Sequence, residues 1–200
     1  MSDASKNIIS FYERNAVIFD NERSDRLFEK AWIDKFLLHV PPDGSILDFG
    51  CGSGHPIAKY LIGLGYAVTG VDSSAKMIDM CELRFPNHKW ILGDMRSIEF
   101  GEKFDGILAW DSFFHLPHHD QKCMISRFSL NAKSQAPLMF TAGPEHGEAI
   151  NNLWEEPLYH ASFSAAEYYE LLEENGFDDI CHKLEDEDCG GRSIYLARHI

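Results

Sequence analysis

Ser45-Ile46-Leu47-Asp48-Phe49-Gly50-Cys51-Gly52-Ser53-Gly54 is the stretch that decides the fold. Ser45 to Phe49 reads as a short strand, and it runs straight into a loop with glycine at every second position from Gly50 to Gly54. From Pro56 onward, Ile57, Tyr60, Leu61 and Leu64 recur at helical spacing, and Gly65 closes the segment. The order is therefore strand, glycine loop, helix. Glycines in that position let a bulky ligand approach the backbone where any Cβ would stand in the way; the plainer alternative is a tight turn with no ligand.

Outward from the loop, short apolar runs alternate with amphipathic stretches. Ala67 to Val71 reads as a strand ending at Asp72, and Ser74 to Arg84 as a helix broken by Pro86. Trp90 to Leu92 forms a short strand ending at Gly93-Asp94. Phe104 to Trp110, nearly all apolar apart from Asp105, has the pattern of a strand buried on both faces. A helix over Pro117 to Leu130 and a strand over Pro137 to Thr141 follow. Residues 143–163 are irregular and rich in His, Glu and Asn, longer than most connections, and so functional or partly helical. Ser164 to Glu167 is a capping box and Gly176 a helix stop. Asp178 to Leu184 and Ser193 to Ala197 read as strands joined through Cys189-Gly190-Gly191, a connection that suggests a hairpin. Before the first strand lie about forty residues of helical patterning that include Ile8, Ile9, Tyr12, Leu27, Phe28, Trp32 and Phe36. The alternation predicts an α/β fold with a mostly parallel sheet.

Two hundred residues suit one domain. A formal charge of −14 repels phosphate backbones over most of the surface, so a nucleic-acid partner is disfavoured. The five cysteines are scattered and form no Cys-x-x-Cys pair, which supports neither a disulfide framework nor a zinc knuckle and predicts reduced thiols in a cytoplasm. No run approaches the ~20 apolar residues that span a bilayer, so no membrane association is expected. Oligomeric state is not readable.

A dinucleotide loop would place a small residue where His55 stands, and no Tyr-x-x-x-Lys pair supports nicotinamide chemistry. Asp72, 22 residues after Gly50, can accept both hydroxyls of a ribose but does not choose between ligands. Asp48 ahead of the first glycine, Gly54, and Gly93-Asp94-Met95 do choose. With these residues the chain resembles the class I S-adenosylmethionine-dependent methyltransferases: Ile46 to Gly54 matches the cofactor loop, Gly70-Val71-Asp72-Ser73-Ser74 the second-strand motif, Gly93-Asp94-Met95 the adenine-contact motif, and Phe104-Asp105-Gly106-Ile107 the fourth-strand motif. Asn131 to Ala136 departs from the family by lacking its Pro-Gly-Gly turn. The resemblance implies a Rossmann-like three-layer sandwich with a seven-stranded, mostly parallel sheet and an antiparallel last strand. It divides the chain into a helical cap (1–43), a cofactor-binding core (44–142), and an acceptor-side segment with the terminal strand pair (143–200).

The resemblance further implies S-adenosyl-L-methionine as cofactor, S-adenosyl-L-homocysteine as product, and a small-molecule methyl acceptor. Gly50 and Gly52, with Cys51 between them, would border the methionine portion; Asp72, with Ser73, the ribose; Asp94 and Met95 the adenine. Asp48 would favour the ammonium, and Trp110 and Asp111 fall at the carboxyl edge of the sheet where open α/β folds place ligands. Tyr12, Arg23 and Trp32 belong to the cap, which either folds over the cofactor, Arg23 pairing with its carboxylate, or merely packs on the sheet. His115 is the candidate general base, its ordinary pKa near 6.5 suiting neutral pH; the alternative is a packed or capping imidazole. His115, His118 and His119 invite a metal reading that Pro117 interrupts, and no metal is expected. His146 and His160 belong either to an acceptor pocket or to the surface. Phe113 and Phe114 read as core, or as an acceptor wall, and Glu185 to Asp188 as a solvated charge run. Two further readings stand beside methyl transfer: a catalytically silent S-adenosyl-binding module, and a nicotinamide-dependent oxidoreductase.

Overall fold

The computed structural model describes residues 7–23 and 26–200. Its centre is a seven-stranded sheet in the order β3-β2-β1-β4-β5-β9-β8, built from β1 (Ser45–Phe49), β2 (Ala67–Asp72), β3 (Lys89–Leu92), β4 (Gly106–Ala109), β5 (Pro137–Ala142), β8 (Phe177–Asp186) and β9 (Arg192–His199). The first five strands pair in parallel, and β9 runs antiparallel between β5 and β8. The expected antiparallel last strand is thus present, inserted beside β5 rather than at the rim.

Alternation along the strands creates two cores. Ile46, Val68, Leu108, Met139, Ile194 and Leu196 point to one face, where α2 (Lys30–Leu37) contributes Trp32, Ile33 and Phe36 and α3 (Ile57–Gly63) contributes Ile57, Ala58 and Leu61. Leu47, Phe49, Val71, Ile107, Ala109, Phe140 and Tyr195 point to the other, against Met124, Ile125 and Phe128 of α5 (His118–Asn131) and Tyr168 and Leu172 of α6 (Ala165–Glu174). Each side chain taken fully out of water here contributes about 1.5–3 kcal/mol, and coverage of both faces is what makes the strands almost continuously apolar. α4 (Ala75–Arg84), capped by the Ser74 hydroxyl, packs beside β2 and β3.

The two N-terminal helices part company. α2 is a sheet-packing helix, with Trp32 donating to the Asp186 carboxylate at 2.8 Å. α1 (Ile8–Glu22) lies against α4 and over the carboxyl ends of the strands. Only α1 is a cap. The segment 143–163 is neither irregular nor helical: β6 (Gly147–Leu153) and β7 (Glu156–Ser162) pair as an antiparallel hairpin beside the sheet. The hairpin is hard to read because β6 is largely exposed and so lacks apolar alternation. Its turn, Trp154-Glu155, also takes positive φ (50° and 64°) without the Asn or Gly that this turn favours. The charge run is likewise only partly solvated, since Asp186 is buried and accepts from Trp32, Lys183 Nζ (2.7 Å) and the amide of Asp188. The turn before β5 holds Gln135 at φ 68°, a left-handed conformation that favours glycine.

Candidate functional site

A cavity of about 340 Å³ opens at the carboxyl ends of β1, β2, β3 and β4, roofed by α1. Gly50, Gly52 and Gly54 all have positive φ (77°, 54° and 75°), so glycine is required there first for backbone conformation. At Gly50 a Cβ would lie 2.2 Å from the Cβ of Ser112, whose hydroxyl donates to Phe49 O at 2.6 Å. That glycine is thus filled by protein. At Gly52 a Cβ would meet nothing closer than Phe19 at 3.8 Å, and this residue borders the open cavity. The bare backbone that the sequence suggests for a ligand is therefore concentrated at one position.

Asp72 braces the loop. Its carboxylate accepts from the amides of Gly52 (3.0 Å) and Ser74 (2.9 Å), and burial raises its pKa. Asp48 is buried to 4% exposure, and desolvation with the nearby charge of Asp72 pushes its carboxyl up to about 7. Asp94 forms a close pair with Arg96 (2.6 Å), whose other arm reaches Asp120 (2.8 Å). Met95, Cys51 and Ser73 complete this side of the wall. The Cys51 and Cys81 thiols both donate to Gly52 O.

At the opposite end Trp110 lines the cavity, with its indole N–H buried and without a partner among the described residues. Asp111 (φ 49°) is held by a forked contact from Arg192, 2.7 Å at both Nε and the terminal nitrogen. Arg23 borders the cavity and is ion-paired with Glu29, which is fully buried. The guanidinium groups of Arg23 and Arg192 both approach the Phe28 ring, at 4.8 and 4.7 Å.

His115 is buried, and desolvation lowers its pKa to about 4, well below the 6.5 that recommends an imidazole as a base. Its Nδ1 lies 2.9 Å from the carbonyl of Tyr159 and its Nε2 2.8 Å from the Tyr12 hydroxyl. His160 stacks on it at 4.9 Å from behind and does not itself border the cavity. His146 instead meets Glu167 at the surface. His118 bonds to Ser162 O and His119 approaches Cys123; the three histidines of the metal reading do not converge. Phe113 is core, while Phe114 packs against His115 and His160.

Tyr12, Arg23, Asp48, Gly50, Cys51, Gly52, Asp72, Ser73, Asp94, Met95, Trp110, Asp111 and His115 thus all border one cavity, and Trp32 does not. Sequence reasoning misses Ile8, Ile9 and Phe19, apolar residues of α1 that face this space instead of the core. It also misses Ser112, Glu13 and Arg192, which hold the loop, the α4 cap and Asp111 from distant positions. Nothing in the local sequence of those three signals the role.

This strand order, with a glycine loop after β1 and an acid at the end of β2, defines an α/β protein that binds a nucleoside-bearing ligand across the strand ends. Residues 46–133 match the methyltransferase-domain family. An uncharacterized methyltransferase from Bacillus licheniformis is 29% identical over 146 residues, 71% of this chain and 61% of its own length. The chain spans less than two thirds of the length of the curated relatives it matches. An amino pentose methyltransferase from Micromonospora echinaspora, solved with S-adenosylmethionine, superposes with a TM-score of 0.73 at 15% identity, covering 94% of this chain and 96% of that one. Magnesium protoporphyrin IX methyltransferase from Synechocystis gives 0.72 at 17% identity, covering 100% and 99%. Residues 46–133 are thus similar to the methyltransferase-domain family, and the chain shares the fold of S-adenosylmethionine-dependent methyltransferases.

Proposed function

We propose that this protein transfers a methyl group from S-adenosyl-L-methionine to a small-molecule acceptor by in-line displacement. The observation that carries the reading is the single cavity in which the glycine loop, Asp72 and Asp94-Met95 meet beneath α1. Its residues fit the cofactor: Gly52 offers backbone with no side chain in front of it, Trp110 has an orphaned donor, and about 340 Å³ lies within the usual range for ligand pockets. When bound, the cofactor supplies an already activated methyl on a sulfonium.

The protein's part is placement. Asp72 presents its remaining lone pairs to the ribose while its amide contacts keep the loop in register. Asp94 and the Met95 backbone would hold the adenine edge, Asp48 the ammonium, and Arg23, beside its pairing with Glu29, the carboxylate. Ile8, Ile9, Phe19 and Trp110 exclude water from the methyl, and fixing two reactants in line is worth effective molarities of roughly 10⁵ M or more. The acidic surface favours a diffusible, non-polyanionic acceptor. Among the described residues no helix is long and apolar enough to cross a membrane.

Calorimetric titration with S-adenosylhomocysteine should give a one-to-one isotherm, and titration with a nicotinamide dinucleotide none; the reverse pattern overturns the reading. Tritium transfer from labelled cofactor to small acceptors separates an enzyme from a silent binding module.

A further inference from the structure

We propose that Tyr12 and His115 make the acceptor end of the cavity selective for a hydrogen-bond donor, and that the methyl acceptor is an amine reacting in its neutral form. The inference rests on the methyl-transfer reading above and adds the acceptor's chemical class.

Proton positions set the direction of each hydrogen bond at this end. The Tyr159 carbonyl can only accept, so the His115 Nδ1 facing it at 2.9 Å carries the ring proton. Burial keeps the imidazole neutral, and Nε2 is left with a lone pair alone. The hydroxyl of Tyr12, 2.8 Å away, must then donate to it. With its proton committed, the Tyr12 oxygen can only accept from anything else in the cavity. Tyr12 and His115 both line that cavity. A substrate lying against Tyr12 therefore has to bring an N–H or O–H.

The other groups narrow the class. Asp72 and the Arg192-paired Asp111 bear on Tyr12 and, with no unpaired cation beside them among the described residues, disfavour anionic acceptors such as carboxylates or thiolates. The guanidinium groups bordering the cavity are already engaged, Arg96 by Asp94 and Asp120, and Arg23 by Glu29 and, in the proposed complex, by the cofactor's carboxylate. An alcohol would need a base to take its proton. Burial holds the Tyr12 phenol far from ionisation, the His115 lone pair is occupied by Tyr12, Asp111 is clasped by Arg192, and Asp48 and Asp72 are taken by the cofactor's ammonium and ribose in the proposed complex. A neutral amine needs no base. Its nitrogen lone pair attacks the methyl carbon, the carbon–sulfur bond breaks with its electrons going to sulfur, and a thioether and a methylated ammonium form. The ammonium's additional proton leaves to water, while its N–H stays on the Tyr12 oxygen. Tyr12 touches substrate in this scheme; His115 is a positioning residue that sets the direction of the phenol.

The test uses the full chain, first confirmed to bind S-adenosylhomocysteine by calorimetry; failure there removes the methyl-transfer reading itself. Tritium transfer from labelled cofactor is then measured at pH 8.5 to benzylamine, benzyl alcohol, benzyl mercaptan and phenylacetate. Benzylamine should react at least ten times faster than any of the others. His115→Leu frees the phenol proton, so Tyr12 can donate, and the amine-to-thiol rate ratio should fall at least five-fold. His115→Gln, whose side-chain oxygen can accept from Tyr12, should retain the ratio. Circular dichroism and product affinity control for folding of each variant. If the product analogue binds and benzylamine gains no advantage, including the case in which none of the four reacts, the proposal is overturned. It is equally overturned if His115→Leu leaves the ratio intact.

Discussion

Asp48→Asn separates the cost of the buried acid from its use. In the unfolded chain this carboxyl titrates at about 3.8, whereas burial and the charge of Asp72 hold it to about 7 in the fold. As pH rises from 4 to 7 the unfolded state releases its proton while the folded state retains it, so folding stability falls with pH and levels off above about 7. At 1.36 kcal/mol per unit the full penalty is roughly 4 kcal/mol, of which roughly 3 falls between pH 4.5 and pH 8. Asparagine, equal in size and uncharged, removes this slope. Urea unfolding of both proteins without cofactor, at the two pH values, should show the variant gaining roughly 3 kcal/mol on the wild type at pH 8 relative to pH 4.5. With a urea m-value of about 2 kcal/mol/M, that is a relative midpoint shift of about 1.5 M. The same variant should bind S-adenosylhomocysteine more weakly at pH 8, since the ammonium loses its carboxylate. A stability difference independent of pH would refute the reasoning.

Gly50→Ala forces a Cβ to within 2.2 Å of Ser112 at φ 77°; it should lower stability by about 2–4 kcal/mol and abolish product binding, read by thermal melts and calorimetry. Arg23→Ala strands the buried Glu29 carboxylate and should cost about 3–5 kcal/mol in urea unfolding, a loss that Arg23→Ala with Glu29→Gln largely restores. Replacing the exposed Glu155, at φ 64°, by glycine relieves one left-handed residue at the hairpin turn while keeping the Trp154 ring on Phe11, and should raise local stability by about 0.5–1 kcal/mol, seen as slower amide exchange in β6 and β7.

The sheet is legible because its strands are buried on both faces and punctuated by glycine, proline or aspartate at their carboxyl ends. Ile46 to Gly54 declares both a strand and the ligand-facing loop after it. The cofactor side is legible for the same reason, since Asp48, Asp72 and Asp94 close strands that sequence locates. The features that resist lie where contacts are remote in sequence. Arg192 fixes Asp111 from 81 residues away, and Ser112 fills the space at Gly50 from the end of the neighbouring strand, 62 positions along the sequence. The Trp154-Glu155 turn takes its shape from packing, Phe11 stacking on Trp154 at 5.8 Å, rather than from turn chemistry. For His115 the sequence leaves a general base and a packed imidazole both open, because burial, which no local pattern reveals, is what shifts its pKa to about 4.

α1 is fastened along its two edges by charge at the surface: Asp20 to Arg84 on one side, Arg14 to Glu156 on the other, with Glu13 accepting from Ser74. Its underside faces the cavity with Ile8, Ile9, Phe19 and the Tyr12 ring, and the Tyr12 hydroxyl is the one polar group among them. Ligand traffic past such a roof is therefore governed by electrolyte, because dissolved ions loosen the fasteners without touching the greasy contacts beneath. If the methyl-transfer reading holds, escape of the spent nucleoside thioether should quicken in concentrated brine while single-turnover chemistry holds its pace.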